Sequence, residues 1–552
     1  MASETDIQYS KWILIFVTIV LTISTSIGSV GAASISDATV EPTADIGDSH
    51  VGSAQGYSFE RLHRFDQGSL STTTTIYDTD QQSNAASTVY TKDDVTSNVA
   101  TIRAHEVWSE YETRGDGVAV GMIDTGVDVE SHPELAPIEG SWRDFVNNEP
   151  EPYDIDTGGH GTVTAGIVAG EQTNDDVYYG VAPETDLLIA QAAKYTYNPD
   201  SGQAEHLFKR DAMFEALNWF KNHPKKVDAI SIQGSFDESG NPQAQRRYFD
   251  IFEELKDQGI VVIVGSGNEG EGNIYSPTNG YDTLSVGATD GEGNIADYST
   301  GGVVNVRDTW ASTATNGRDW PDEYVVPDVA APGSGSRSAT AGGGYDLYAG
   351  TSIAAPHVLG TVALMESATE EDLSPEEIET AIQSTAEHPN GENAEKDVRY
   401  GYGIIDAYEA VEAVAGEPAT FTVQTTEYIA PSNSAEPHRF EATIKNTGDN
   451  SGTRPVSSVI TVSESTNQFR QGDTQVTLDV NETKTITAAI DPQSVDSDIN
   501  EVQWNIEIAD TEQEFEFDIT HHLFNRVPGF GLVSVIGALG GSGYILRKRL
   551  SE

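Results

Sequence analysis

A serine, a histidine and an aspartate, each within a distinctive local sequence, are the residues of this chain best suited to nucleophilic chemistry. A serine hydroxyl is a weak nucleophile until a neighbouring base accepts its proton, and a carboxylate can orient that base. Ser352 follows Gly-Thr and precedes small residues, His160 lies between two glycines, and Asp124 ends an apolar run. The residue types therefore predict Ser352 as nucleophile, His160 as general base and Asp124 as the orienting carboxylate.

Each of these three residues also has a simpler interpretation when it is considered alone. Asp124 at a strand end fits a cap or a metal ligand, and His160 fits a structural or metal-binding histidine. Ser352 at the start of a helix fits an ordinary N-cap, which serine favours. Pro356 would then lie inside that helix, where proline lowers stability, so packing or function must compensate for it.

Stabilisation of a carbonyl oxygen that gains negative charge requires hydrogen-bond donors that are already in place. Asn268 follows the apolar run 259–264 and offers a side-chain amide, and the backbone N–H of Ser352 offers a second donor. We predict that Asn268 lines an oxyanion hole. The chain has no cysteine, which excludes a thiolate nucleophile, a disulfide framework and a cysteine-ligated metal.

The elements that must position these residues are short apolar strands that alternate with helical segments between about 101 and 415. This alternation predicts an α/β fold with a parallel sheet covered by helices on both faces. The predicted strands are 118–123, 187–192, 229–232 and 259–264, and the predicted helices are 161–169, 211–221 and 246–258. Ligand sites in such sheets lie beyond the carboxyl ends of the strands, where both Asp124 and Asn268 fall.

The four motifs together resemble those of subtilisin-like serine proteases (peptidase S8). They are Asp-Thr-Gly at 124–126, His-Gly-Thr at 160–162, Ser-Gly-Asn at 266–268 and Gly-Thr-Ser-x-Ala-Ala-Pro-His at 350–357. The resemblance covers about 101–415 and implies a three-layer domain that hydrolyses peptide bonds near neutral pH. It assigns Asp124, His160 and Ser352 to the triad and Asn268 to the oxyanion hole. That chemistry requires no cofactor; many relatives bind structural calcium, but no calcium loop stands out here, so metal ligands are unknown.

The substrate-binding residues that the resemblance implies depart in part from the family pattern. They are Gln233, Gly234 and Ser235, which follow Ser-Ile where Ser-Leu-Gly is usual, together with Gly267 and Glu269 beside Asn268. We expect Gln233 to alter the first specificity pocket. We expect Glu269 to favour basic substrate residues in that pocket, with a solvated loop charge as the alternative.

Three further departures from the family pattern lie close to the triad motifs. Val163 and Thr164 replace the usual His-Val, and Ile353 replaces the usual methionine after the serine. We expect none of these changes to touch the proton path. Loss of the methionine removes a side chain that is prone to oxidation.

The composition is strongly acidic, with 88 Asp and Glu against 30 Lys and Arg among 552 residues and a formal net charge of -58. This charge repels nucleic acid and anionic membrane surfaces, so neither is expected as a main partner. Because 37% of the residues are hydrophobic, we expect a folded protein rather than a disordered acidic chain. Molar salt screens self-repulsion, so we infer a halophilic source with a composition resembling haloarchaeal proteins. An acidic mesophilic protein is the alternative.

The N-terminal region has the pattern of a secreted protein. Residues 1–33 resemble a signal peptide, with Lys11 before an apolar run at 12–27 and small residues at 30–33. An uncleaved anchor is the alternative, because the run is near the minimum length that spans a membrane. Residues 34–100 are rich in small and polar residues, which we interpret as a propeptide or a linker.

The C-terminal region changes character after the α/β pattern ends. Seven short strand-like runs within 418–520, separated by turn-rich breaks, predict an all-β sandwich domain. Residues 527–549 combine Pro-Gly-Phe at 528–530, a short apolar segment and Arg-Lys-Arg at 547–549. This order resembles the C-terminal sorting signal of archaeal surface proteins and implies cleavage by an archaeosortase and lipid attachment. A plain transmembrane helix is the alternative.

These features together predict a secreted, cell-surface-anchored serine endopeptidase that acts on proteins or peptides. An inactive protease-like scaffold or adhesion protein is the alternative, although a scaffold does not need Asp, His, Ser and Asn together. A carboxyl ester hydrolase with the same triad is disfavoured, because its Gly-x-Ser-x-Gly motif is absent around Ser352 and its residues occur in the order Ser, Asp, His.

Overall fold

The computed structural model describes most of the chain between residues 89 and 518. The described ranges are 89–156, 158–198, 203–234, 241–274, 279–370, 372–391, 395–432, 436–462, 468–490, 501–509 and 511–518. Residues 1–88, with the predicted signal peptide, and 519–552, with the predicted sorting signal, lie outside these ranges. Within them, no helix is long and apolar enough to cross a membrane.

A parallel sheet forms the centre of the region before residue 415. The strands described there are β1 (Ala119–Asp124), β2 (Trp142–Asp144), β3 (Asp186–Gln191), β4 (Ala193–Asn198), β5 (Gln203–Phe208), β6 (Ala229–Ile232), β7 (Val261–Gly265), β8 (Leu284–Thr289), β9 (Gly302–Asn305), β10 (Glu323–Val326), β11 (Val329–Pro332), β12 (Ser334–Ala339) and β13 (Tyr345–Ala349). Seven of these form one sheet in the order β11-β8-β7-β6-β1-β3-β2, and each neighbouring pair is parallel. The predicted parallel sheet is confirmed.

Helices cover both faces of this sheet. The helices described are α1 (Ser97–Thr101), α2 (Ala104–Glu110), α3 (His160–Ala169), α4 (Arg210–Lys221), α5 (Pro242–Lys256), α6 (Val306–Thr309), α7 (Ser312–Thr315), α8 (Thr351–Ser367), α9 (Pro375–Thr385) and α10 (Ala407–Ala415), with a short 3₁₀ turn at Pro133–Leu135. Side chains of β1 alternate between two hydrophobic clusters. Val120 and Met122 pack with α3 and α8, whereas Ala119 and Ile123 pack with α4 and α5. The predicted α/β class is confirmed.

The two helices that begin with the predicted histidine and serine motifs are built from small and apolar residues. Every residue of α3 after His160 is buried, and in α8 only Ser352 and Ser367 are more exposed. A helix that is apolar on all sides is typical of a buried position. Pro356 lies inside α8 and is itself buried, so dense packing compensates for the backbone hydrogen bond that proline cannot make.

An all-β region follows the parallel sheet, as the sequence predicted. Its strands are β14 (Phe421–Ile429), β15 (His438–Asn446), β16 (Gly452–Val462), β17 (Gln468–Leu478), β18 (Thr483–Ile490), β19 (Glu501–Ile508) and β20 (Thr511–Asp518). They form two antiparallel sheets in the orders β14-β15-β18 and β17-β16-β19-β20. Phe440 of one sheet and Trp504 of the other belong to one hydrophobic cluster, with ring centroids 6.0 Å apart. Two antiparallel sheets around a shared core are consistent with the predicted sandwich.

A buried arginine joins the all-β region to the region before it. Arg454 of β16 donates from Nη2 to the carbonyl oxygen of Glu110 at 2.8 Å, and its Nη1 lies 3.2 Å from Glu112 Oε1. The Arg454 side chain is only 6% exposed. Nearby, the hydroxyl of Tyr111 donates to the carbonyl oxygen of Gly416 at 2.8 Å. These polar contacts orient the all-β region against the end of α2.

Candidate active site

Asp124 is the last residue of β1, and its carboxylate is buried at the carboxyl edge of the parallel sheet. The chain turns at Gly126, where φ is 120° and a Cβ would lie 1.9 Å from the carbonyl oxygen of Tyr153. A Cβ on Gly161 would lie 2.1 Å from the carbonyl oxygen of Gly126. Glycine at both positions therefore allows the loop after β1 to approach the start of α3.

His160 is the first residue of α3, and its imidazole bridges the aspartate and the serine. Its Nδ1 lies 2.8 Å from Asp124 Oδ1, and its Nε2 lies 2.9 Å from Ser352 Oγ. A carboxylate only accepts hydrogen bonds, so Nδ1 carries the proton and Nε2 of the neutral ring can accept from the serine hydroxyl. The structure thus brings together the three residues that the sequence predicted as nucleophile, base and orienting carboxylate.

Ser352 is the second residue of α8 rather than its cap. The helix begins at Thr351, its N-cap is Gly350, and no side chain makes a capping hydrogen bond. The interpretation of Ser352 as an ordinary N-cap is therefore wrong, because its hydroxyl points to the imidazole instead of the helix backbone. The Ser352 N–H belongs to the first turn, whose N–H groups have no acceptor within the helix.

The electrostatic environment of His160 favours its protonated form. Burial lowers the pKa of His160, but the charge of Asp124 and its hydrogen bond, with the charges of Asp156 and Asp154, outweigh burial and raise the pKa from 6.5 to about 9. A general base must be neutral to accept a proton. The imidazole therefore loses its proton, and becomes able to act as a base, at higher pH than a free histidine does.

Asn268 lies in the loop after β7, next to the start of α8. Its Oδ1 accepts hydrogen bonds from the backbone N–H and the hydroxyl of Thr351, at 2.9 and 3.1 Å. A Cβ on Gly350 would lie 3.1 Å from Ser352 Oγ and 3.8 Å from Asn268 Nδ2. The glycine therefore keeps open a space bordered by both the serine hydroxyl and the asparagine amide, which is where an oxyanion requires donors.

Asp154 is a further carboxylate that connects the loop after β1 to the start of α3. Its Oδ1 accepts from the Thr125 hydroxyl at 2.8 Å, and its Oδ2 accepts from the N–H and the hydroxyl of Thr162 at 2.9 and 2.7 Å. The Thr125 hydroxyl in turn accepts from the Gly161 N–H at 2.8 Å. Sequence analysis missed Asp154; the aspartates at 154 and 156, shortly before the histidine motif, were the signal that could have found it.

Comparison with known proteins connects this geometry to a family. The family model described as the subtilase family (peptidase S8) matches residues 115–403. The chain belongs to the subtilase family. It is 30% identical to thermitase of Thermoactinomyces vulgaris over 56% of this chain and 94% of thermitase.

Other relatives of this subtilase include an intracellular serine protease and a subtilisin. The chain is 30% identical to an intracellular serine protease of Paenibacillus polymyxa, over 50% of this chain and 73% of that protein. It is 29% identical to subtilisin Savinase of Lederbergia lenta, over 54% of this chain and 91% of Savinase. Family membership supports peptide-bond hydrolysis by a serine peptidase, and it confirms the resemblance that the four motifs indicated.

The residues expected in the substrate groove of the subtilase lie just beyond the carboxyl ends of two neighbouring strands. Gln233 and Gly234 follow β6, whereas Gly267 and Glu269 follow β7, which pairs with β6. Ser235 lies outside the described residues. Because both strands end at the same edge of the sheet as β1, the four described residues lie along the edge that carries the triad.

The two polar side chains expected in the first pocket differ in how they are bonded. Gln233 is buried, and its Nε2 donates to Ser231 Oγ at 2.5 Å. Its Oε1 has no hydrogen-bond partner within the described part of the chain. Glu269 Oε2 accepts from the backbone N–H of Asn268 at 2.8 Å, so this carboxylate is held by its own loop rather than solvated on all sides.

Thr164 contradicts the expectation that the departures beside the histidine motif leave the proton path untouched. Its hydroxyl donates to Asp124 Oδ2 at 2.7 Å, so that expectation is wrong for Thr164. The physical reason is the helical period, which places a residue four positions after His160 on the same face of α3. Val163 and Ile353 instead form a small apolar cluster with Ile167.

Calcium has no assigned ligands in this subtilase. Across the described ranges, no group of three or more His, Cys, Asp or Glu is arranged to hold a metal ion. The structural calcium ion that the family resemblance implied therefore stays a prediction.

Proposed function

We propose that this subtilase is a secreted, cell-surface-anchored endopeptidase that cleaves peptide bonds through an acyl-enzyme on Ser352. The observation that carries the proposal is the path from Asp124 Oδ1 through His160 to Ser352 Oγ, with contacts of 2.8 and 2.9 Å. In this proposal His160 acts as general base and acid, Asp124 orients it, and Asn268 contributes to the oxyanion hole. The triad chemistry requires no cofactor.

The proposed reaction begins when neutral His160 Nε2 accepts the Ser352 proton and the serine oxygen attacks the substrate carbonyl carbon. The carbonyl electron pair moves to the oxygen, where the Asn268 amide and the Ser352 N–H stabilise the negative charge. The imidazolium then protonates the leaving amine as the C–N bond breaks, which leaves an ester on the serine. Water attacks this ester by the same route and releases the acid.

The substrate is proposed to bind as an extended strand along the edge formed by the ends of β6 and β7. Backbone hydrogen bonding of this kind gives affinity with little side-chain selectivity, so Gly234, Ser235 and Gly267 suit a wide range of sequences. Selectivity is proposed to come from Gln233, whose Oε1 is buried without a partner in the described residues. Glu269 would add a preference for basic residues.

The cellular location is proposed from the sequence of the two ends. Residues 1–33 support secretion, and 527–549 support processing by an archaeosortase or retention as a membrane anchor. The all-β region is proposed to hold the enzyme near the cell wall or to bind substrate. A formal net charge of -58 supports activity in molar salt and argues against nucleic acid as a partner.

The test compares the full chain with its Ser352→Ala variant, both recovered in molar NaCl. Cleavage of casein and labelling by a fluorophosphonate, which reacts with activated serines, are measured side by side. We expect both signals in the unaltered chain and neither in the variant, because the substitution removes only the nucleophile. Both are repeated at low salt, where we expect the activity to decline.

The alternative function is an inactive surface scaffold. If the folded, unaltered chain neither cleaves casein nor takes up the label at any salt concentration, removal of residues 34–88 tests whether a propeptide blocks the site. Continued inactivity after that removal would establish the scaffold instead. Labelling without casein cleavage would show that the chain is an active serine hydrolase and that casein is not among its substrates.

A further inference from the structure

The hydroxyl of Thr164 contacts the proposed catalytic carboxylate from within the helix that begins at His160. The Thr164 side chain is completely buried, and its hydroxyl donates to Asp124 Oδ2 at 2.7 Å. The carbonyl oxygen of Gly161, in the same helix, lies farther from this hydroxyl, at 3.1 Å. A hydrogen bond to a charged acceptor is stronger than one to a neutral carbonyl, so Asp124 is the dominant partner.

The carboxylate of Asp124 is held on both sides. Oδ1 accepts from the Thr125 N–H at 2.6 Å and lies 2.8 Å from His160 Nδ1. Oδ2 accepts from Thr164 and lies 3.1 Å from the same imidazole nitrogen. Without the Thr164 hydroxyl, Oδ2 would retain only the longer of the two imidazole contacts. Rotation of the Asp124 carboxylate about its Cβ–Cγ bond would then be opposed mainly by the contacts of Oδ1.

We propose that Thr164 is a positioning residue that fixes the carboxylate plane of Asp124 and, through it, the orientation of the His160 imidazole. This proposal rests on the proposed function. The hydroxyl also takes up part of the negative charge of the carboxylate, which limits how strongly Asp124 stabilises the imidazolium. Valine, the usual residue of the family at this position, has nearly the same shape but cannot donate, so the effect belongs to the hydroxyl and not to packing.

Two other carboxylates face His160 and must stay unchanged in any test. Asp154 is bonded to Thr125 and Thr162, and Asp156 Oδ2 accepts from the His160 backbone N–H at 3.1 Å. Neither is bonded to the Thr164 hydroxyl in the described structure. Replacement of Thr164 therefore changes the environment of Asp124 while both neighbouring charges remain.

The experiment compares full-chain Thr164→Val and Thr164→Ser with the unaltered enzyme. Steady-state cleavage of a peptide p-nitroanilide in molar NaCl is followed from about pH 6 to about pH 10. We expect Thr164→Val to lower kcat roughly 10-fold with KM unchanged, because a buried hydrogen bond to a charged group is lost. The rise of kcat/KM with pH should move to higher pH, and Thr164→Ser should restore both properties.

Thr361→Val is the matched control, because it makes the same substitution in a buried helix without affecting a carboxylate. The Thr361 hydroxyl donates to the His357 carbonyl oxygen of its own helix at 2.9 Å. We expect this control to retain the kcat and the pH profile of the unaltered enzyme. Circular dichroism confirms that each variant is folded, and Thr164→Ala takes the place of Thr164→Val if the valine variant does not fold.

Three results would overturn the proposal. The first is a folded Thr164→Val or Thr164→Ala enzyme with unchanged kcat and an unchanged pH profile. The second is a loss that Thr164→Ser does not restore, and the third is an equal loss in Thr361→Val. Failure of the proposed function is distinguishable from all three, because the unaltered chain would then be as inactive as Ser352→Ala.

Discussion

Glu366 carries a buried charge that should weaken the folded protein at alkaline pH. It lies near the end of α8, the helix that also carries Ser352, and is only 9% exposed. Its Oε2 accepts from the Leu373 N–H at 3.3 Å, and its Oε1 has no hydrogen-bond partner among the described residues. Asp228 and Asp372 lie close enough to repel it, and the ammonium of Lys226 lies 2.8 and 2.7 Å from those two carboxylates.

The surroundings of Glu366 determine whether its ionisation stabilises or destabilises the folded protein, and by how much. Burial, followed by the charge of Asp228, raises the pKa of Glu366 from 4.5 to about 7. The unfolded chain releases this proton near pH 4.5 and the folded chain only near pH 7, so stability falls as pH rises through that window and stays lower above it. Each unit of difference between the folded and unfolded pKa corresponds to about 1.4 kcal/mol. Ionised Glu366 therefore lowers the free energy of unfolding by about 3 kcal/mol above pH 7.

The perturbation is Glu366→Gln in a Ser352→Ala background, which prevents self-digestion during heating. Thermal unfolding is followed by calorimetry in molar NaCl at about pH 5 and about pH 8.5. We expect the midpoint to rise at pH 8.5 by up to about 6 °C, at roughly 2 °C per kcal/mol for a domain of this size. At pH 5 the folded protein already holds the proton, so we expect little gain.

The control for this prediction is Glu370→Gln, which makes the same change four residues later at an exposed position. We expect it to leave the midpoint unchanged at both pH values. An equal gain for Glu366→Gln at both pH values would refute the reasoning, since a neutral carboxyl and an amide would then differ for reasons other than charge. No gain at pH 8.5 would show that the ionised group is not penalised by its surroundings.

Two further predictions concern the base and the contact between the two regions. Because the pKa of His160 is raised to about 9, kcat/KM should increase with pH through the alkaline range. Asp156→Asn, which removes a charge that stabilises the imidazolium, should move this increase to lower pH, and an unmoved profile would contradict it. Arg454→Met should destabilise the Ser352→Ala protein by about 2 kcal/mol in calorimetry, because it removes the hydrogen bonds that the buried guanidinium donates to the Glu110 carbonyl oxygen and to the carboxylates of Glu110 and Glu112. Arg439→Met, at a half-exposed pair, should cost less than about 1 kcal/mol, and equal losses would argue against the role of burial.

Four of the seven strands of the parallel sheet, β1, β3, β6 and β7, were predictable because their signals are local. The run 118–123 is apolar on every residue, which fits a strand buried on both faces of a parallel sheet. Asp124 breaks this run at its end, and the break coincides with the last residue of β1. The seven strands of the all-β region were found in the same way, from short alternating runs separated by turn residues.

The contacts of Arg454 were not predictable, because its partners lie more than 340 residues earlier in the chain. A pattern of apolar and polar residues along one strand indicates which face is buried, but it does not indicate what covers that face. The burial of Arg454 within its strand is understandable once its ion pairs with Glu110 and Glu112 are known. Asp154 was not predictable for the same reason, because only the structure shows that the hydroxyls of Thr125 and Thr162 donate to it.

Thr164 shows that a residue within a recognised motif can make a hydrogen bond that the motif itself does not indicate. Threonine and valine have nearly equal volume, so their exchange in a buried helix appears conservative when only size and hydrophobicity are considered. The hydroxyl becomes important only because the helix packs against the end of β1, where Asp124 lies within hydrogen-bond distance. The substitution is conservative for packing and changes the hydrogen bonding of the carboxylate, and only the three-dimensional arrangement separates the two effects.

The carboxylates of the site are held by hydroxyls, backbone N–H groups and the His160 imidazole rather than by lysine or arginine. The contacts of Asp124 are a backbone N–H, a hydroxyl and an imidazole, and those of Asp154 are hydroxyls and backbone N–H groups. Asp144 likewise accepts three backbone N–H groups and a tyrosine hydroxyl. With 30 basic residues for 88 acidic ones, the chain cannot pair every carboxylate with a lysine or arginine. Salt screens exposed charges much more than buried, short hydrogen bonds. Ionic strength should therefore act mainly on the acidic surface and its ion pairs, while the geometry of the triad depends on packing and local hydrogen bonds.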